Sequence, residues 1–165
     1  MTEAQKASQS LCVCEKIIAM QEWEEATDVL LYAALPDEVD LSSLFVSALS
    51  QRKTIWLPVV DGDVLRIRKY VEGKLTVSEG FHIIEPTPEA EELTQENYSR
   101  IDLAIVPGRA FTLDGDRMGR GKGYYDKFLA FTSCKTYGVA FSCQIVAALP
   151  VEEWEKKLDK VIVSE

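Results

Sequence analysis

The chain has 165 residues, 47% of them hydrophobic and 27% charged, and its 18 basic and 27 acidic side chains leave a net charge of −9. That size suits one domain with a sizeable core, and the acidic balance excludes a broad nucleic-acid face, which needs cations clustered along phosphates. No apolar run is long enough to span a membrane and no charged-then-apolar signal segment opens the chain, so a cytoplasmic location is expected.

Thr2 and Gln5 form a capping-box pattern, and Ala4, Ala7, Leu11, Cys14 and Ile18 recur every three to four residues. The opening is therefore predicted to be an amphipathic helix with that stripe on the core. Asp28–Ala34 is a short apolar run that ends before Pro36 and suits a buried strand. Leu41–Leu49 follows as a helix with Leu41, Leu44, Phe45, Ala48 and Leu49 on one face, and Thr54–Leu57 is strand-like.

Asp61-Gly62 marks a turn, and Val64–Val71 alternates apolar and charged residues as a half-exposed strand does, which predicts a hairpin appended to a sheet. Arg66, Arg68 and Lys69 make one of two basic clusters in this acidic chain, and the acidic stretch Glu89–Glu96 is expected as a solvated loop or short helix. Ile101–Val106 is a strand, Tyr125–Phe131 a helix, Thr136–Phe141 another buried strand, and a last strand begins at Val161. Alternating strands and helices predict a three-layer αβα fold with a mostly parallel, Rossmann-like central sheet, and residues 1–165 form one domain.

The second basic cluster lies in PGRAFTLDGDRMGRGKGYYDKF, residues 107–128. Gly119, Gly121 and Gly123 alternate with Arg120 and Lys122, Arg117 adds a third cation, and the run enters a helix. Small residues expose backbone N–H groups, the long side chains neutralise an anion, and a helix N-terminus favours phosphate. A Walker A loop is excluded because Gly123, not Ser or Thr, follows Lys122, and a GxGxxG fingerprint is excluded because it requires glycine at Tyr124. A strand ending at Val106 places this loop beyond the carboxyl end of a parallel sheet, where ligands gather. Cys12, Cys14, Cys134 and Cys143 lack C-x-x-C spacing and accompany a single histidine, His82, so neither a zinc site nor a disulfide framework is expected.

LPDEVD at 35–40, FHIIEP at 81–86, DLAIVPGRAF at 102–111 and RMGRGKGYYDKF at 117–128 occur in order, followed by Gln144, Leu149-Pro150, Glu152, Glu155 and Asp159. This ordered set resembles the 5-formyltetrahydrofolate cyclo-ligase family, also called 5,10-methenyltetrahydrofolate synthetases, across most of the chain. The resemblance implies ATP-dependent cyclisation of 5-formyltetrahydrofolate to 5,10-methenyltetrahydrofolate through phosphorylation of the formyl oxygen, with ADP and phosphate released. It implies ATP contacts at Arg117, Met118, Gly119, Arg120, Gly121, Lys122, Gly123, Tyr124 and Tyr125, with Arg120 and Lys122 facing the transferring phosphate as the catalytic pair.

The resemblance also implies folate contacts at Ala33, Glu38, Arg120, Gly121, Lys122, Gly123 and Tyr124, and Mg²⁺ ligation by Asp126 and Glu155. Asp126 also suits a helix-start carboxylate, Glu155 a surface glutamate, Glu38 a turn residue after Pro36, and Tyr124 a buried tyrosine whose hydroxyl satisfies the loop. Folate and ATP are the expected partners, without nucleic acid or membrane, and the chain is expected to be a monomer.

Two departures qualify the resemblance. The family's basic helical leader, whose cations reach toward ATP, is not reproduced by Lys6 and Lys16, and Trp154 stands where a histidine is usual beside the metal-binding acid. Slower turnover is the expectation. The alternative functions are a non-catalytic folate- or nucleotide-binding member of the family and, with less support, a sugar-phosphate enzyme on a similar layout.

Overall fold

The computed structural model describes residues 1–80, 82–121, 123–152 and 155–164. Helix α1 (Glu3–Ile18) opens on the expected capping box: the Thr2 hydroxyl accepts from the Gln5 N–H at 3.1 Å, and Gln5 Oε1 accepts from the Thr2 N–H at 2.8 Å. Its buried face differs from the expected stripe. Ser10, Val13, Cys14 and Ile17 are buried, whereas Ala4 and Ala7 are exposed and Leu11 is 50% exposed. The cause is a contact distant in sequence: the Ser10 hydroxyl accepts from the Asp40 N–H at 3.0 Å, and the Cys14 thiol donates to the Asp40 carbonyl at 3.4 Å. These bonds turn the helix by about one residue relative to its most apolar stripe.

After α2 (Gln21–Glu25) come β1 (Asp28–Leu30), α3 (Ser42–Ser50), β2 (Thr54–Asp61) and β3 (Val64–Lys69). Short strands β4 (Leu75–Val77), β5 (Ile84–Pro86) and β6 (Glu92–Leu93) precede a 3-10 turn at Gln95–Arg100 and β7 (Leu103–Val106). A two-stranded ribbon of β8 (Ala110–Phe111) and β9 (Arg117–Met118) leads into α4 (Tyr124–Phe131), β10 (Lys135–Ala140) and β11 (Lys160–Val163). The seven-stranded sheet runs β11-β10-β7-β1-β2-β3-β6, parallel from β11 through β2 and antiparallel at β3 and β6.

Period-two alternation explains the three layers. Val29, Leu31, Ile55, Leu57, Leu103, Ile105, Tyr137 and Val139 face a core shared with α1, α2 and α3. Leu30, Trp56, Ala104, Val106 and Ala140 face the opposite core, built with Phe128 and Leu129 of α4 and with Phe111. The strand expected over Asp28–Ala34 pairs as β1 only at Asp28–Leu30; beyond the Leu31 N–H, which donates to the Trp56 carbonyl at 3.0 Å, the chain leaves the sheet.

The appended hairpin is the β2–β3 pair, and the acidic stretch that follows is more than a solvated loop. Its Glu92 lies on edge strand β6 and accepts from Arg66 Nη1 and Arg68 Nε, both at 3.0 Å, while Arg66 Nε donates to Asp61 at 2.7 Å. The two arginines of the first basic cluster are thus neutralised within the sheet edge. Among the described residues, no helix is long and apolar enough to cross a membrane.

Gly138 of β10 lies in a tightly packed part of the second core. A Cβ there would stand 2.6 Å from a Phe111 ring carbon and 2.7 Å from Leu158 Cδ1. Gly138→Ala is expected to lower stability by about 1–3 kcal/mol, because a close-packed interior cannot yield a methyl's volume without moving the ring. Urea unfolding measures it as a lower midpoint at unchanged slope.

Candidate active site

The carboxyl ends of the parallel strands open into a cleft of about 1000 Å³. The chain beyond β1 supplies Tyr32, Ala33, Leu35 and Glu38, the end of β2 supplies Pro58 and Val60, and the chain beyond β7 supplies Pro107, Gly108 and Arg109. The ribbon and the start of α4 add Arg117, Met118, Gly119, Arg120, Gly121, Gly123, Tyr124, Tyr125 and Asp126, and the β4–β5 connection and Leu149-Pro150 close the remaining sides. Every described residue expected to contact ATP, folate or metal therefore borders one cavity, Glu155 included. Lys122 and Trp154 lie outside the described residues.

Backbone conformation shapes the cationic wall. Gly121 and Gly123 have φ of 89° and 70°, left-handed values that a side chain disfavours, and Gly123 is the N-cap of α4. The helix therefore begins at Tyr124 and turns its free N–H groups toward the cleft end of the sheet. Tyr124 is half-buried, and its hydroxyl donates to the Gly62 carbonyl in the β2–β3 turn at 2.9 Å. It ties two walls of the cleft together and does not satisfy its own loop.

Arg117 is nearly enclosed, its side chain only 9% exposed. Nε donates to the Pro107 carbonyl at 2.6 Å, Nη1 lies 3.6 Å from Asp126 Oδ1, and the guanidinium carbon sits 5.1 Å from the Tyr125 ring centre. Burial lowers its pKa and raises that of Tyr125, but an arginine remains charged in such surroundings. The site thus holds a fixed positive charge with part of its donor fork committed to the protein. Arg120 Nη2 lies 2.5 Å from Asp37 Oδ1 and 3.7 Å from Glu38 Oε2. That contact with Asp37 joins residues 83 positions apart, and sequence reasoning missed it.

Glu38 has a side chain only 10% exposed and accepts from the Leu35 N–H at 2.9 Å. Burial pushes its carboxyl above the usual glutamate range, against the lowering effects of that N–H and of Arg120. The folded state therefore holds this proton to higher pH than the unfolded chain does. Stability falls as pH rises from the ordinary glutamate pKa through the raised value, and levels off above it. Glu38→Gln is expected to be at least as stable as the native chain at pH 7 and to remove that slope, which urea melts across the pH range will measure.

Gln144, noted in the sequence only as part of the closing motif, is a brace. Its Oε1 accepts from the Phe141 N–H at 2.9 Å, and its Nε2 donates to the carbonyls of Gly108 at 2.9 Å and Arg109 at 3.3 Å. It locks the chain leaving β7 to the chain leaving β10. His82 is exposed on the β4–β5 connection with φ of 55°, as a loop residue.

Asp126 and Glu155 both line the cleft and also a pocket of about 30 Å³ beside Arg117. Among the described residues, no three His, Cys, Asp or Glu side chains converge to cage an ion. Two carboxylates at the edge of the cleft suit Mg²⁺, which takes one or two carboxylates and fills its shell with phosphate oxygens and water.

Comparison with known proteins decides the family. The profile of the 5-formyltetrahydrofolate cyclo-ligase family matches residues 1–164. The chain belongs to that family. It is similar to the 5-formyltetrahydrofolate cyclo-ligase of Mus musculus, 27% identical over 173 residues that cover 98% of this chain and 85% of the mouse protein. The cyclo-ligase of Escherichia coli K12 is 31% identical over 144 residues, covering 83% of this chain and 78% of its own. The NMR structure of Aquifex aeolicus 5,10-methenyltetrahydrofolate synthetase superposes with a TM-score of 0.84 at 32% identity, over 100% of this chain and 82% of that one. The cyclo-ligase family and its fold, expected from the ordered motifs, are therefore both borne out.

Proposed function

We propose that this chain is an ATP-dependent ligase that closes 5-formyltetrahydrofolate to 5,10-methenyltetrahydrofolate and releases ADP and phosphate. The observation that carries the reading is one cleft in which a desolvated carboxylate, Glu38, adjoins the arginine–glycine wall of Arg117 and Arg120. The reaction needs both halves. A formamide is resonance-stabilised and its oxygen is a poor leaving group, so the oxygen first takes the γ-phosphoryl group of ATP. The secondary amine that links the pterin to the benzoyl ring then attacks the activated carbon. A carbon–nitrogen bond forms, the amine loses its proton, and the carbon–oxygen bond breaks to expel phosphate.

The protein's part is positioning and charge stabilisation. Arg117, Arg120 and the backbone N–H groups of the loop from Met118 to Tyr125 hold the phosphates, and Lys122 joins Arg120 at the transferring group. Asp126 and Glu155 hold Mg²⁺, which neutralises phosphate oxygens when bound. Glu38 accepts from adjacent N–H donors of the pterin, with Ala33 as wall and the Tyr124 ring at the border. The protein acts as a monomer in the cytoplasm, where both substrates are supplied.

The test is incubation with 5-formyltetrahydrofolate and ATP·Mg, following the amidine-type absorbance of the methenyl product. Product that requires ATP supports the reading. Folded protein that binds both ligands calorimetrically yet yields no product points to the non-catalytic alternative.

A further inference from the structure

Arg109 lines the cleft from the loop after β7, and among the described residues its guanidinium has no carboxylate or carbonyl partner. The other two arginines lining the cleft are engaged, Arg117 by Pro107 and Asp126 and Arg120 by Asp37 and Glu38. In a chain of net charge −9, a free arginine on the wall of a ligand cleft is an electrostatic investment that its own acids do not use. The backbone beneath it is fixed at both ends. The Arg109 N–H donates to the Met118 carbonyl at 2.7 Å, and the Arg109 carbonyl accepts from Gln144. Only side-chain rotamers remain to be ordered by a ligand, which lowers the entropy cost of capture.

The chemistry of the partner follows from charge accounting, and it rests on the cyclo-ligase reading. The phosphates of ATP are served by the loop of residues 117–125 and by Mg²⁺. The folate carries its own anions at the end remote from the pterin, the two carboxylates of its glutamyl group. Arginine's planar fork matches a carboxylate with two parallel hydrogen bonds. We infer that Arg109 is a specificity residue that anchors the glutamyl carboxylates of the folate substrate.

The experiment compares Arg109→Ala and Arg109→Lys with the native chain on two substrates, 5-formyltetrahydrofolate and 5-formyltetrahydropteroate, which lacks the glutamyl group. Arg109→Ala is expected to raise KM for the folate about tenfold with little change in kcat, the weight of one charge-assisted contact. KM for the pteroate should be the same in all three proteins, and Arg109→Lys should recover part of the loss. A rise in KM for ATP instead, an equal loss on both substrates, or no change on either overturns the assignment. Calorimetric titration of the same two compounds without ATP gives the comparison independently of turnover. If the native chain makes no methenyl product, the cyclo-ligase reading fails, while a glutamyl-dependent difference in binding still decides the role of Arg109.

Discussion

Arg117→Ala is expected to reduce kcat/KM for ATP by roughly 10²- to 10³-fold, about 3–4 kcal/mol, the largest loss from any single substitution in the cleft. Three partners lose their counterpart at once: the Pro107 carbonyl, the Asp126 carboxylate and the face of Tyr125. The Pro107 carbonyl is left without its donor, whereas the Asp126 side chain, 50% exposed, returns to water, so most of the loss falls on phosphate binding. Arg117→Lys should rescue little, since an ammonium cannot donate to Pro107 from Nε while lying flat against an aromatic ring. Part of the loss is structural, so thermal melts must accompany the kinetics. A variant with native kcat/KM would show that Arg117 only fastens the ribbon and does not face phosphate.

Arg120→Ala is expected to behave differently, with kcat falling by about 10²-fold or more, KM for ATP changing less and the fold retained. Its side chain is 35% exposed and its nearer partner, Asp37, is an exposed acid, so the loss is felt chiefly where charge develops on the transferring group. A second consequence follows from its neighbour. Arg120 lowers the pKa of Glu38, so its removal leaves that carboxyl protonated to still higher pH and raises KM for the folate on the acid side. The effects of Arg120→Ala and Glu38→Gln should therefore fall short of additivity in a double-mutant cycle. Strict additivity, or unchanged kcat in Arg120→Ala, would remove Arg120 from the reacting centre.

The sequence made the layers legible because its signals are local. Apolar runs such as Ile101–Val106 are flanked by polar residues, the Thr2–Gln5 box caps its own helix, and the glycines of residues 119–123 announce a loop that then enters α4. Ordered motifs supplied the family. What stayed hidden depends on pairs far apart in sequence. The buried face of α1 was misread because hydrophobicity ranks Leu11 above Ser10, whereas docking on Asp40 favours Ser10. The neutralisation of Arg66 and Arg68 by Glu92, the hold of Asp37 on Arg120 and the bracing of Gly108 by Gln144 leave no periodic trace. The unused charge of Arg109 was equally invisible, because a free cation is defined by contacts it does not make.

Phe111 joins the centre of the fold to its working edge. Its ring is completely enclosed and lies against Gly138 of β10, one strand in from the edge of the sheet, while its backbone pairs across the ribbon with Arg117. The ring acts as a shim that sets how high the ribbon rides above the strands, and so where the guanidinium stands. Volume errors beneath it would reach the enzymologist as a nucleotide-affinity defect as well as the calorimetrist as a lowered melting point. Variation in this part of the core is thereby screened by ligand recognition as well as by foldedness, and natural drift at Phe111 should be narrower than its distance from any substrate suggests.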